Sequence, residues 1–163
     1  GYEIYQTLIN TPELGLIWQI KPSRLYAMLD RLDQAGCLET TLIHQENRPP
    51  RKILQLSPAG LAVYRTWLVE PVPYPRDMRL IFMLKLYFAI QEDDYVVDHL
   101  LDCQIKQCEE WLAAQRTAIT PSTTKSVSLG HLVNGFREGQ IHAMKTWLES
   151  CKGIKREQFK GQM

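Results

Sequence analysis

The chain has 163 residues, 45% of them hydrophobic, and 19 Lys and Arg against 18 Asp and Glu leave a formal net charge of +1. That is enough apolar material for one ordinary domain or two small ones, which excludes global disorder, and the longest apolar run, Leu80 to Leu84, is far too short to span a bilayer. Near-neutrality does not decide for or against nucleic acid, because a binding patch is local and must be judged by where the charges fall.

In chain order, Gly1 to Asn10 reads as a short helix with Ile4, Leu8 and Ile9 on its apolar side, broken at Thr11-Pro12. Leu16-Ile17-Trp18 suits a brief strand. The stretch "IKPSRLYAMLDRLDQAG" then predicts a helix over Pro22–Ala35. Pro22 fits its first turn and Gly36 its end, and Leu25, Met28, Leu29 and Leu32 fall on one face. The opposite face carries Ser23, Ala27, Asp30 and Gln34, flanked by Arg24, Arg31 and Tyr26. Leu38 to Ile43 suits a strand, "HQENRPPRK" over His44–Lys52 a polar loop, and Ile53 to Leu56 a second strand. Ser57-Pro58 is a second helix start, for a helix running to about Val69.

The proline-rich "EPVPYPRD" (Glu70 to Asp77) is the best domain boundary. It divides residues 1–70 from a hinge at 71–77, a helical region at 78–151 and a basic tail at 152–163. Met78–Ile90, Glu92–Thr117 and Val127–Cys151 read as helices, with a Pro/Ser/Thr loop at Thr120–Ser126. The fold class that follows is mainly α with a small β-hairpin: a winged helix-turn-helix followed by an α-helical dimerisation domain. In a winged helix the second helix of the pair enters the major groove and the hairpin lies along the backbone. A small polar helix face and a cationic hairpin about 20 residues later are the two features that converge.

No catalytic residue set is expected. There is no Gly-x-Ser-x-Gly, P-loop or GxGxxG. No metal is expected from His44, His99, His131 and His142, which are scattered, and no cofactor. Cys37, Cys103, Cys108 and Cys151 form no CxxC pair, and no signal-like segment precedes them, so a reduced, cytoplasmic setting is expected, without a membrane.

The segments "GYEIY" (Gly1–Tyr5), "PSRLYAMLDRLDQAGCLE" (Pro22–Glu39) and "RPPRKILQLSPAG" (Arg48–Gly60) together resemble the PadR family of bacterial transcriptional regulators. "FMLKLYFA" (Phe82–Ala89) and "SLGHLVNGFREGQIHAMKTWLE" (Ser128–Glu149) are similar to its long-tailed branch, whose C-terminal helices dimerise. The resemblance implies a sequence-specific, homodimeric DNA-binding regulator on a pseudo-palindromic operator. It sets Lys21, Ser23, Arg24, Tyr26 and Ala27 of the recognition helix and Arg48, Arg51 and Lys52 of the wing on DNA. Tyr26 is open to two readings, a phosphate contact or partial burial against the neighbouring helix. The resemblance also implies a further helix ahead of the Gly-Tyr-Glu segment, which is absent from this sequence: either the chain begins late or residues precede Gly1. Lys21-Pro22-Ser23-Arg24 departs from the Ser-Pro-Gly-Thr of many relatives, and a lysine cannot cap as serine does.

Leu129, Val133, Phe136, Met144 and Leu148 are the candidate dimerisation residues. Leu86, Trp111 and Trp147 are candidates for a small aromatic effector, or else packing residues. The alternative to a DNA-binding regulator is a winged-helix module used for protein contacts.

Overall fold

A computed structural model describes residues 1–45, 48–118 and 128–154, of which 44, 45, 48–50 and 118 by backbone alone. The element order is α1 (Tyr2–Asn10), α2 (Pro12–Ile17), α3 (Pro22–Gln34), β1 (Leu38–Gln45), β2 (Arg48–Leu56), α4 (Pro58–Val69), a 3-10 turn (Pro75–Arg79), α5 (Ile81–Glu92), α6 (Asp94–Ala118) and α7 (Leu129–Cys151). The chain divides into two compact units, Gly1–Leu68 and Val69–Met163. The first is mostly helical with one antiparallel hairpin, in winged-helix order, and the second is helical.

Two expectations in the first unit need correction. Leu16-Ile17-Trp18 is not a strand, because Leu16 and Ile17 close helix α2 and Trp18 caps its end. Pro12 at its first turn and Glu13 beside the helix's positive end are start signals that outweigh three apolar residues. His44–Lys52 is not one loop either. Strand β1 runs to Gln45 and β2 starts at Arg48, while residues 46 and 47 of the expected loop lie outside the described residues. Pairing passes from Ile43↔Arg51 to Gln45↔Arg48, so Pro49 and Pro50 oppose His44 alone. Two residues against one is a β-bulge, and a bulge in a two-stranded hairpin accepts prolines that lack a ladder N–H.

Helix α3 ends as its sequence requires. Gly36 takes a φ of +71°, Cys37 N–H donates to Leu32 O at 2.9 Å and Gly36 N–H to Asp33 O at 3.0 Å. This is a Schellman ending, in which glycine supplies the left-handed residue. Ser57 then closes the hairpin onto that ending. Its N–H donates to Cys37 O at 3.0 Å, its hydroxyl donates to Gly36 O at 2.6 Å, and the same hydroxyl accepts from Gly60 N–H at 3.0 Å. Gly60 is buried against this joint, and a Cβ there would overlap the Cys37 carbonyl.

In the second unit, Asp93 caps α6 by accepting from Val96 N–H at 2.9 Å, and Ser128 caps α7 by accepting from His131 N–H at 3.3 Å. Phe82, Leu86, Ala89, Leu100, Leu101, Ile141 and Leu148 are buried in its core. Trp147 meets Phe82 edge-on, ring centroids 6.1 Å apart at 81°. Helices α6 and α7 are also joined by Lys145 with Glu109 (2.7 Å), by Arg116 with Glu138 (4.0 Å), and by Lys152 with Asp102. The loop Thr120–Ser126 and the tail cations Lys155, Arg156 and Lys160 lie outside the described residues. No helix among the described residues is long and apolar enough to cross a membrane.

Candidate nucleic-acid interface

Helix α3 meets its own unit along a line rotated from the one its apolar pattern marks. Of Leu25, Met28, Leu29 and Leu32, Leu25 is buried and Leu29 half-buried, while Met28 and Leu32 stay exposed. At 100° per residue the contact line is Leu25–Leu29–Asp33, because the hairpin docks at Asp33. Thr40 Oγ1 donates to Asp33 Oδ1 at 3.0 Å and Lys52 Nζ to Asp33 Oδ2 at 3.1 Å. Both bonds hold the Asp33 carboxyl below the usual carboxylate range, Lys52 first.

That docking leaves one broad face of α3 open. Lys21, Ser23, Arg24, Ala27, Asp30, Arg31 and Gln34 are all exposed. Tyr26, 45% exposed, stands on the hairpin-side margin of this face, its ring against Gly1. Both readings of Tyr26 thus keep a physical basis: the ring covers the start of α1 and half of it remains in solvent. Arg24 stands on the other margin, and neither it nor Lys21 has an ion-pair partner among the described residues.

The hairpin cations are arranged less simply than their sequence suggests. Strand alternation sends adjacent side chains to opposite faces. Lys52 goes to Asp33 and Arg51 to Glu3 of α1. The acid partners were not legible in advance, Glu3 above all, since it lies 48 residues from Arg51. Arg48 has its backbone in β2, and its side chain lies outside the described residues. Every side chain in the two pairs is at least one-third exposed. Exposed pairs contribute about 0–1 kcal/mol, so a phosphate can displace either acid at little cost. The surface is therefore one of small and polar side chains on α3, with removable counter-charges beside it. Among the described residues no group of three or more His, Cys, Asp or Glu is arranged to hold a metal.

Residues 1–66 match the model of the transcriptional regulator PadR-like family. The negative transcriptional regulator PadR of Bacillus subtilis (strain 168) is 32% identical over 88 residues, covering 54% of this chain and 47% of the relative. The matched part thus spans about half the length of that curated relative. Two solved structures of Bacillus subtilis PadR are also similar. The complex with operator DNA is 24% identical over 91% of this chain and 86% of its own, at a TM-score of 0.41. The complex with p-coumaric acid is 25% identical over 91% and 85%, at 0.38. In the matched unit α3 is followed directly by the β1–β2 hairpin, the element order of a winged helix.

The other candidates belong to the helical unit. On α7, Leu129, Val133 and Phe136 are exposed, with Leu132 beside them. Phe136 is 66% and Leu129 76% exposed. Met144 is half-buried, and Leu148, at 0%, belongs to the chain's own core. Leu86 is buried as well. Trp111 donates its indole N–H to Pro73 O at 3.0 Å, and Trp147 is engaged with Phe82.

Proposed function

We propose that the protein is a sequence-specific, DNA-binding transcriptional regulator that acts as a homodimer in the cytoplasm and catalyses no reaction. The observation that carries this is the open face of α3, bordered on one edge by a docked hairpin, in a unit that matches the PadR-like family model. Helix α3 enters the major groove, where Ser23, Arg24 and Ala27 meet base edges. Lys21, Tyr26, Arg48, Arg51 and Lys52 meet phosphates. A two-fold dimer built on Leu129, Val133 and Phe136, with Met144 at the margin, reads a pseudo-palindromic operator. Its naming as a negative regulator makes the Bacillus subtilis relative support repression. A flat aromatic effector acts through Leu86, Trp111 and Trp147 by favouring one arrangement of the dimer over another.

The test is a gel shift on the promoter region of the protein's own gene, with scrambled duplex as competitor. Retardation that scrambled DNA competes poorly supports the reading, and no retardation at low salt overturns it. One observation favours a second reading, that of a protein-binding winged helix: Arg51 and Lys52 already hold acidic partners. The same assay separates the two.

A further inference from the structure

Among the described residues the buried polar or charged side chains are Ser57, Lys85 and Gln104. Ser57 closes the hairpin, as above. The other two both bind the backbone that follows α4. Lys85 Nζ donates to Glu70 O at 2.9 Å. Gln104 Oε1 accepts from Val72 N–H at 2.8 Å. Trp111 adds a third bond, to Pro73 O. Residues 70–73 are thus held by α5 once and by α6 twice, directly after α4 ends at Val69.

The choice of residues is expensive for a core. Lys85 is 3% and Gln104 0% exposed. Burial pushes the Lys85 ammonium below its ordinary range. Gln104 Nε2 has no nitrogen or oxygen partner among the described residues, and the Gln104 side chain lies against the Cys108 thiol one turn on. A buried polar side chain must find partners for every polar atom, a demand that a leucine or methionine would avoid. Both side chains use their buried polar atoms on the same backbone segment.

We propose that Lys85, Gln104 and Trp111 are positioning residues that clamp 70–73 onto α5 and α6, so that the regulator selects operators by half-site spacing as well as by sequence. This rests on the DNA-binding reading. Duplex DNA presents equivalent half-sites about 34–36 Å apart, or at multiples, and each inserted base pair shifts and rotates one of them. A held connector resists that shift, and a loosened one follows it.

The experiment uses the whole chain and its Lys85→Met and Gln104→Met variants. Fluorescence anisotropy is measured on duplexes selected by the unmodified protein, carrying one half-site, two at the selected spacing, or two with 1, 2 or 3 base pairs inserted. The unmodified protein is expected to lose about tenfold or more in affinity on a 2-base-pair insertion, a difference of ~1.4 kcal/mol. The variants are expected to keep single-half-site affinity, to lose less than about threefold on the same insertion, and to show faster amide exchange over 69–74. Lys85→Met carries the test if Gln104→Met does not fold, because Glu70 is an exposed residue and the part-buried carbonyl it releases lies at the edge of solvent. A folded Lys85→Met protein with the unmodified spacing profile, or unchanged exchange over 69–74, overturns the proposal. Failure of the unmodified protein to bind even the single half-site overturns the DNA-binding reading instead.

Discussion

Arg51 stands between two possible anions, the Glu3 carboxylate it now holds and a phosphate. Both members of the pair are at least half exposed, so the exchange is decided by small differences and by salt. Glu3→Gln frees the guanidinium and is expected to tighten binding to random duplex about two- to fivefold at low salt, an advantage that fades as salt rises. Arg51→Ala is expected to weaken specific and random duplexes alike and to lower the salt slope by about one. Arg24→Ala should behave differently: it relaxes preference at one position of each half-site, at a cost of about 1–3 kcal/mol on the specific sequence. Competition with scrambled DNA checks this, and unchanged discrimination would contradict the role of Arg24. Cys108 gives a pH signature. Burial pushes its thiol up to about 11 from an ordinary 9.0. The folded thiol stays protonated while the unfolded one ionises, so its stabilisation is intact below pH 9 and is lost as pH rises towards 11. Urea midpoints between pH 8 and 11 should fall more steeply for the parent than for Cys108→Ala.

Ser57 and Gly60 are where the hairpin becomes an element held in place. Ser57→Ala removes a cap and the bond to Gly36, and is expected to cost about 1–2 kcal/mol. Gly60→Ala drives a methyl group into the Cys37 carbonyl, and overpacking of this kind costs about 1–3 kcal/mol. Urea midpoints at unchanged m-values check both. These elements also show what the sequence made legible. The Pro22 start, the Gly36 end and the Ser57-Pro58 start are local chemistry, and each takes effect within a few residues of itself. Three apolar residues cannot distinguish a strand from a helix end, so Leu16-Ile17-Trp18 misled. A double proline reads as a loop until a bulge is seen to take it, since the bulge depends on the partner strand. The open face of α3 was visible in its polar pattern, but the Leu25–Leu29–Asp33 contact line depends on where the hairpin lands. The pairing of Arg51 with Glu3 and the bonds to 70–73 are long-range, with no signal in either segment alone.

At the scale of the whole molecule the exposed stripe on α7 calls for a partner. Leu129, Leu132, Val133 and Phe136 recur at helical spacing and remain in water, and in the two-fold dimer proposed above a second copy of the same stripe would cover them. Phe136→Glu is expected to give a monomer by light scattering at micromolar concentration while the circular dichroism of the helices is kept, and a dimer that survives this change would place the interface elsewhere. Monomers reach one half-site at a time, so the variant should also lose cooperative occupation of paired sites. The central claim is that α3 reads base sequence in duplex DNA from a two-fold dimer. Selection of bound duplexes from a random pool, sequenced after several rounds, tests it most directly. The account predicts inverted half-sites with centres about one helical turn apart, or a multiple, and loss of preference at one position of each in Arg24→Ala. A pool that stays random, or one enriched in a single unpaired motif, would contradict it.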